Sequence, residues 1–343
     1  ASAPPAMADA AALPASSANL TAASAALPLP MPEAPLPATS AAGDAPGNAS
    51  SALLAAAPAL AADTPDPTMQ EAAAPACVMS FNASDPSGAG GLGGDIATIA
   101  AMGAHALPVV TAIVLRDTAE VFEHQTLESD TIVEQARSIL EDVPVAAWKV
   151  GFLGSAEGIA AVAEVLSDYP DLPLVAYMPS IAWLDEEQQQ SYMDAFRELV
   201  LPQTAVLVGN HKTLTDFLLP DWDNERPASP RELAVAAAQH GADHVLVTGI
   251  NLPNQHVDNV LAGPQGAITG EKFERFEASF IGAGDTLSAA LAALLSVGAE
   301  THAAVGEALA FLDQTLEAGF RPGMGNVVPD RFFWALPPGE EGE

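Results

Sequence analysis

Positive charge is the scarcest commodity in this chain. Its 343 residues carry 11 Lys and Arg against 44 Asp and Glu, a net charge of −33, and none of the cations precedes Arg116. A surface of that sign repels phosphate backbones and anionic bilayers, so nucleic acid and membrane surfaces are excluded as partners. The absence of a basic start and of early arginines argues against a secretory signal and a mitochondrial presequence, and the expected compartment is the cytoplasm. There is one cysteine, Cys77. That excludes an internal disulfide and a cysteine-based zinc site, and the thiol reads as buried at the start of a strand. The seven histidines show no metal-ligand spacing. No apolar run is long enough to read as a membrane span.

Residues 1–75 consist mainly of Ala, Pro and Ser with almost no aromatics, a composition that reads as a disordered extension. Residues 76–336 read as one folded domain, and 337–343 as an acidic tail. Within the domain, short apolar runs at 77–81, 107–114, 146–152, 172–178, 205–208 and 244–248 read as strands. They alternate with helical patterns at 96–102, 131–140, 156–166, 186–200, 213–218 and 231–239. Residues 259–262 and 266–276 read as antiparallel edge strands, and 303–316 as a late helix. Strand–helix alternation predicts a three-layer α/β/α sandwich with a mostly parallel central sheet. Ligands of such sheets bind beyond the carboxyl ends of the strands. The loops after Phe81, Val114, Val150, Met178, Val208 and Thr248 are therefore expected on one rim.

Two glycine-rich stretches fall on that rim. The later one, Gly282-Ala283-Gly284-Asp285, opens directly into the apolar run 289–295. A glycine turn at the start of a helix presents free N–H groups that, with the helix dipole, bind an anion. Asp285 in the first turn could take a proton from an attacking hydroxyl, or could simply cap the helix. The earlier stretch, Gly88-Ala89-Gly90-Gly91-Leu92-Gly93, satisfies the dinucleotide-binding pattern, with Asp117 where a ribose-binding acid would stand. Residues 82–87 separate its first glycine from the strand, which suits a loop folded over a small substrate better. A dinucleotide-dependent oxidoreductase is the alternative this pattern leaves.

Taken together, the two stretches resemble one family. Ser84-Asp85-Pro86-Ser87-Gly88-Ala89-Gly90, followed by Asp95 and Thr111-Ala112-Ile113-Val114, resembles the N-terminal signature of hydroxymethylpyrimidine/phosphomethylpyrimidine kinases. The stretch from Gly282 to Ala290 resembles the C-terminal signature of the ribokinase-like superfamily to which they belong. Lys149-Val150-Gly151-Phe152-Leu153 resembles the family's Lys-Ile-Gly-Met-Leu segment, and Leu201-Pro202-Gln203 with Gly209-Asn210 matches the run before its nucleotide loop. The likeness spans about residues 77 to 334.

The resemblance implies a ribokinase-like fold and ATP-dependent phosphorylation of a hydroxymethyl-aminopyrimidine, or its monophosphate, on the way to thiamine diphosphate. The implied partners are that small pyrimidine alcohol and ATP, with Mg2+ as cofactor; a homodimer is left open. Gly282, Ala283 and Gly284 would form the anion hole, and Asp285 would be the base, as in the wider superfamily; many pyrimidine kinases have Cys there. Asp95, Val114, Ala83 and Arg116 match substrate positions, and Asn210, Thr248 and Gly249 nucleotide positions. No residue is assigned to a metal.

Four of the matched positions depart from the family. Arg116 replaces a pyrimidine-reading Gln, and arginine can only donate hydrogen bonds. Tyr177 replaces an Asp, Thr213 a Glu, and Thr248 a Lys. Two lost carboxylates weaken the organisation of metal-bound water, and the lost Lys removes a cation near the phosphates. These losses keep a non-catalytic pyrimidine-binding relative, and a kinase for another small alcohol, as alternatives. Lys149 reads as a structural residue ending a strand. Trp183, Trp222 and Trp334 read as packing residues.

Overall fold

The computed structural model describes residues 74–335; the extension at 1–75 and the tail at 337–343 fall outside them, apart from residues 74 and 75. The sheet has nine strands in the order β3-β2-β1-β4-β5-β6-β7-β8-β9. Its parallel centre consists of β1 (Cys77–Ser84), β2 (His105–Arg116), β4 (Ala147–Val150), β5 (Leu174–Tyr177), β6 (Val206–Asn210) and β7 (His244–Leu252). Antiparallel strands close both edges: β3 (Val121–Thr126) on β2, and β8 (His256–Gly263) with β9 (Gly266–Glu274) beyond β7.

Alternation along each strand sorts residues to the two helical layers. Met79, Phe81, Trp148 and Val150 face α2 (Ser129–Leu140), α3 (Ala156–Ser167), α4 (Glu186–Ala195), α5 (His211–Leu218) and α6 (Pro230–Gln239). Val78, Ala147, Val175 and Leu246 face α1 (Gly91–Ala101), α7 (Ala283–Ser296) and α8 (Thr301–Glu317). Helix α7 is buried from Thr286 through Leu295. A helix apolar all round belongs in an interior, and α7 packs on β1, β4, β5 and β6 with α1 and α8 beside it. The α/β/α sandwich expected from the alternation of elements is the observed architecture.

Some local expectations need correction. Helix α1 begins at Gly91, five residues before the expected start at Ile96. Strand β3 was not foreseen; it forms a hairpin with β2, closed by Asp117, whose Oδ1 accepts from the amides of Ala119 and Glu120 at 2.6 and 2.9 Å. Those amides hold its carboxyl below the usual range. Asp117 is thus a turn residue, not a ribose ligand. Cys77 is half-buried rather than buried. Among the described residues no helix is long and apolar enough to cross a membrane.

Strand order reverses between β1 and β4. The chain leaves β1 through α1 to reach β2, then returns past β1 to β4. Such a switch point opens a crevice at the carboxyl ends of the two strands, and the polar cluster described next occupies it.

Candidate active site

At the ends of β1 and β4 the strand faces turned toward α1 and α7 change from apolar to polar. Ser80 and Asn82 follow Val78 on that face of β1, and Lys149 follows Ala147 on β4, with Ser80 and Lys149 directly paired. Helix α1 presents Asp95 to them and the first turn of α7 presents Asp285. Lys149 is wholly buried; its ammonium donates to Asp95 Oδ1 and Oδ2 at 2.7 and 2.9 Å and to Asp285 Oδ1 at 2.8 Å. Asn82 Nδ2 donates to both carboxylates, at 2.9 Å to Asp95 and 2.8 Å to Asp285, while its Oδ1 accepts from the amides of Ala83 and Phe152. Ser80 Oγ adds a bond to Asp95 at 2.6 Å. Lysine is almost never fully buried unless paired, and here one ammonium serves two carboxylates.

The two acids titrate in opposite directions. Burial pushes the Asp95 carboxyl up, and Lys149 does not offset it fully. Burial also penalises the Asp285 carboxylate, yet Lys149, Asn82 and the Gly91 amide together bring it below the usual range. Lys149 is pulled down by burial and carried above its ordinary value by the two carboxylates. At neutral pH Asp285 is therefore an ionised carboxylate, fixed in orientation, at the edge of a cleft.

That cleft has a volume of about 590 Å³, within the range of small-molecule sites. Ala83, Val114, Arg116, Gly282 and Asp285 all line it. Phe152, Val121 and Trp183 supply an apolar wall, backed by His124 edge-on to both Phe152 and Trp183; Trp183 therefore faces the cleft as well as packing. Asp95, matched to a pocket-lining position, is wholly buried and does not line the cleft. Lys149, read as a strand-end residue, binds Asp95 and Asp285 together. Arg116 approaches Asp85 at 3.5 Å. Asp85 in turn accepts from Ser87 and from the Gly90 amide, so the pair ties the glycine loop to β2.

The glycine turn is sterically determined. Gly282 sits at φ 80°, in the left-handed region that favours glycine, and a Cβ there would fall on the Ala89 carbonyl oxygen. A Cβ on Gly284 would overlap the ring of Tyr177. Tyr177, at the end of β5, thus fills with an aromatic face the place where the resemblance expects a carboxylate. Its ring lies 5.9 Å from the Lys149 ammonium, a cation–π contact. Burial, with Asp285 and Asp95 nearby, pushes its hydroxyl well up, so it stays neutral. No side chain caps α7, which leaves the first-turn amides of Ala283 and Gly284 for a ligand anion. At α1 the Gly91 amide is already taken by Asp285 Oδ2 at 3.2 Å. A pyrophosphate at the start of α1 would have to displace a carboxylate, and this removes the dinucleotide reading of the first glycine loop.

The remaining matched residues lie farther along the rim. Asn210 and Thr248 are paired neighbours on β6 and β7. Asn210 Oδ1 caps α5 through the Thr213 amide at 2.9 Å. The Gly249 amide is held by the buried side chain of Asn259 at 3.1 Å. None of the three lines the cleft around Asp285.

Four residues in or beside this cluster have no place in the site expected from sequence: Ser80, Asn82, Lys149 and Arg331. Polar residues at 80 and 82, two apart in an apolar strand, share one face, and a lysine inside a buried strand demands a carboxylate. Those signals were available. Arg331, considered below, gave none.

The family model described as phosphomethylpyrimidine kinase matches residues 85–330. A hydroxymethylpyrimidine/phosphomethylpyrimidine kinase of Streptomyces coelicolor is 28% identical over 264 residues, covering 76% of this chain and 96% of its own. The thiamine biosynthesis multifunctional protein ThiED of Corynebacterium efficiens is 28% identical over 272 residues, 74% of this chain but 35% of that protein. Among solved structures, an ADP complex of Bacillus subtilis pyridoxal kinase superposes with a TM-score of 0.69 at 23% identity, covering 77% of this chain and all of that one.

Proposed function

Since this chain belongs to the phosphomethylpyrimidine kinase family, we propose that it transfers the γ-phosphoryl group of ATP to the hydroxymethyl group of an aminopyrimidine, or of its monophosphate, in thiamine biosynthesis. The observation that carries this reading is Asp285: an ionised carboxylate, oriented by Lys149 and Asn82, in the first turn of an uncapped helix and open to the cleft. The acceptor hydroxyl lies against Asp285 and gives it its proton as the oxygen–phosphorus bond forms. The bond to the β-phosphate oxygen breaks, and ADP leaves. The amides at the start of α7 hold the charge that builds on the transferring group, where fixed donors act most strongly. The wall of Phe152, Val121 and Trp183 keeps water from competing with the acceptor.

Among the described residues no three His, Cys, Asp or Glu side chains converge as a metal cage. A Mg2+ ion entering with the nucleotide would be carried on the substrate's phosphates, where it would neutralise part of their charge.

Arg116 is the acceptor-selecting residue in this reading. It reaches the cleft beside Asp85 and can only donate, which suits a phosphate or a carbonyl-rich edge. Arg116→Gln is expected to move the kcat/KM ratio roughly 10- to 100-fold toward the unphosphorylated aminopyrimidine alcohol, a charge-assisted bond being worth about 1.5–3 kcal/mol. Steady-state kinetics on the alcohol, its monophosphate and pyridoxal check this. An unchanged ratio removes Arg116 from acceptor selection, and no turnover of any acceptor by the unmodified protein overturns the kinase reading.

A further inference from the structure

A second buried cation lies behind the glycine turn. Arg331 is only 5% exposed. Its segment is held by Val327 and Val328, which pair with Phe280 and Phe320 on either side of α7 and α8. From there the guanidinium reaches back into the core. Nε donates to Thr286 Oγ1 at 3.0 Å, one terminal nitrogen donates to the Gly88 carbonyl at 3.4 Å, and the other to the carbonyls of Ala89 and, at 3.5 Å, Gly282. One side chain thereby joins the first glycine loop, the second glycine turn and the first turn of α7.

The charge on Arg331 is unusual for its position. Every partner is a neutral oxygen, and among the described residues it forms no ion pair. Lys149, by contrast, is bonded directly to two carboxylates. A buried charge with no directly bonded counter-ion is costly; burial works against the Arg331 charge while Asp285, Asp95 and Asp85 favour it at longer range, and arginine stays charged even so. An anion brought close to the guanidinium would offset that cost further than the carboxylates of Asp285, Asp95 and Asp85 already do. The one nearby place built for an anion is the uncapped start of α7, whose Gly282 carbonyl and Thr286 hydroxyl Arg331 already grips. Arginine's planar fork is also the side chain that can hold several fixed acceptors at once.

We propose that Arg331 is a positioning residue for phosphoryl transfer. It locks the glycine turn to the first glycine loop and places a fixed positive charge behind the amides that receive the phosphoryl group. This inference rests on the kinase reading for its reaction, but the binding of a polyphosphate tests it separately.

The experiment compares the full chain with Arg331→Met and Arg331→Lys. Binding of tripolyphosphate, which carries the charge with no acceptor, is read by calorimetry, and kcat and acceptor KM are read by steady-state kinetics. Arg331→Met is expected to weaken tripolyphosphate at least 10-fold and to lower kcat by about 10²-fold, the usual loss for one anion-stabilising donor. The acceptor KM should stay within about 2-fold, because Arg331 does not line the cleft. Arg331→Lys keeps the charge but not the fork. It should fall between the two in both readouts, and it decides the matter if the methionine variant does not fold. Tripolyphosphate affinity unchanged by either substitution, or absent in the unmodified protein, overturns the role of Arg331 and leaves the kinase reading to its own kinetics. Tripolyphosphate binding that Arg331→Met weakens, in a protein with no turnover of any pyrimidine alcohol, supports Arg331 while the kinase reading fails.

Discussion

Asp285→Asn is expected to lower kcat by about 10²–10⁴, the usual cost of losing a general base, while nucleotide affinity holds or improves slightly as a negative charge leaves the phosphate site. The structure adds a structural cost to this variant. Asp285 accepts on both oxygens, from Lys149 and Asn82 on one and from the Gly91 amide on the other. An asparagine amide must turn its NH₂ toward one of these donors, which leaves a donor unpaired at a cost of about 1–3 kcal/mol. Activity is therefore compared well below the melting temperature of the variant. A loss of kcat with the nucleotide dissociation constant preserved supports the base. Equal turnover in the two proteins, both folded and saturated, excludes it.

Lys149→Met carries the second large effect, on stability as well as rate. Removing the ammonium leaves Asp95 and Asp285 buried together without their directly bonded cation, and breaking one partner of a buried pair costs about 3–5 kcal/mol. Denaturant melts at neutral pH measure this. The sign with pH follows from the direction of the shifts. Asp285 sits below its ordinary value because of Lys149, so its carboxylate persists into acid and its contribution to stability is lost only as pH falls through that depressed value. Without Lys149 burial dominates, the Asp285 pKa rises, and the acidic limb of the kcat profile moves to higher pH. The stability deficit of Lys149→Met should shrink at acid pH, where neutral carboxyls no longer repel. A profile whose acidic limb stays in place would show that Lys149 does not set the ionisation of Asp285.

The sequence carried the sandwich because its strands and helices are locally marked: β-branched runs, an apolar α7, and caps such as Asp185 and Ser229, both in capping boxes. It placed Gly282, Asp285, Val114 and Arg116 toward one rim because parallel strands end there. What escaped it depends on distant partners. Strand β3, Val-Phe-Glu-His-Gln-Thr, has one weakly buried face and becomes a strand only by pairing with β2. The first turn of α1 is rich in glycine, the poorest helix former after proline. Asp285 holds its Gly91 amide, and Arg331 holds the carbonyls of Gly88 and Ala89 just before it. The resemblance assigns Asp95 to a pocket-lining position; the Lys149 ammonium draws it under the floor instead. Nothing near Arg331 in sequence announces a buried guanidinium, since its nearest partner in sequence, Thr286, is 45 residues away and Ala89 is 242.

The most direct test of the account follows the phosphorus atom itself. The full chain is incubated with MgATP and the hydroxymethyl-aminopyrimidine, and with its monophosphate, and the reaction is followed by ³¹P NMR beside the Asp285→Asn variant. The γ-phosphate signal of ATP is expected to decay into a new phosphoester of the pyrimidine, with ADP formed in equal amount, and the variant to make this product at least about 10²-fold more slowly. Persistence of ATP with both acceptors, or its decay to inorganic phosphate alone, would contradict it.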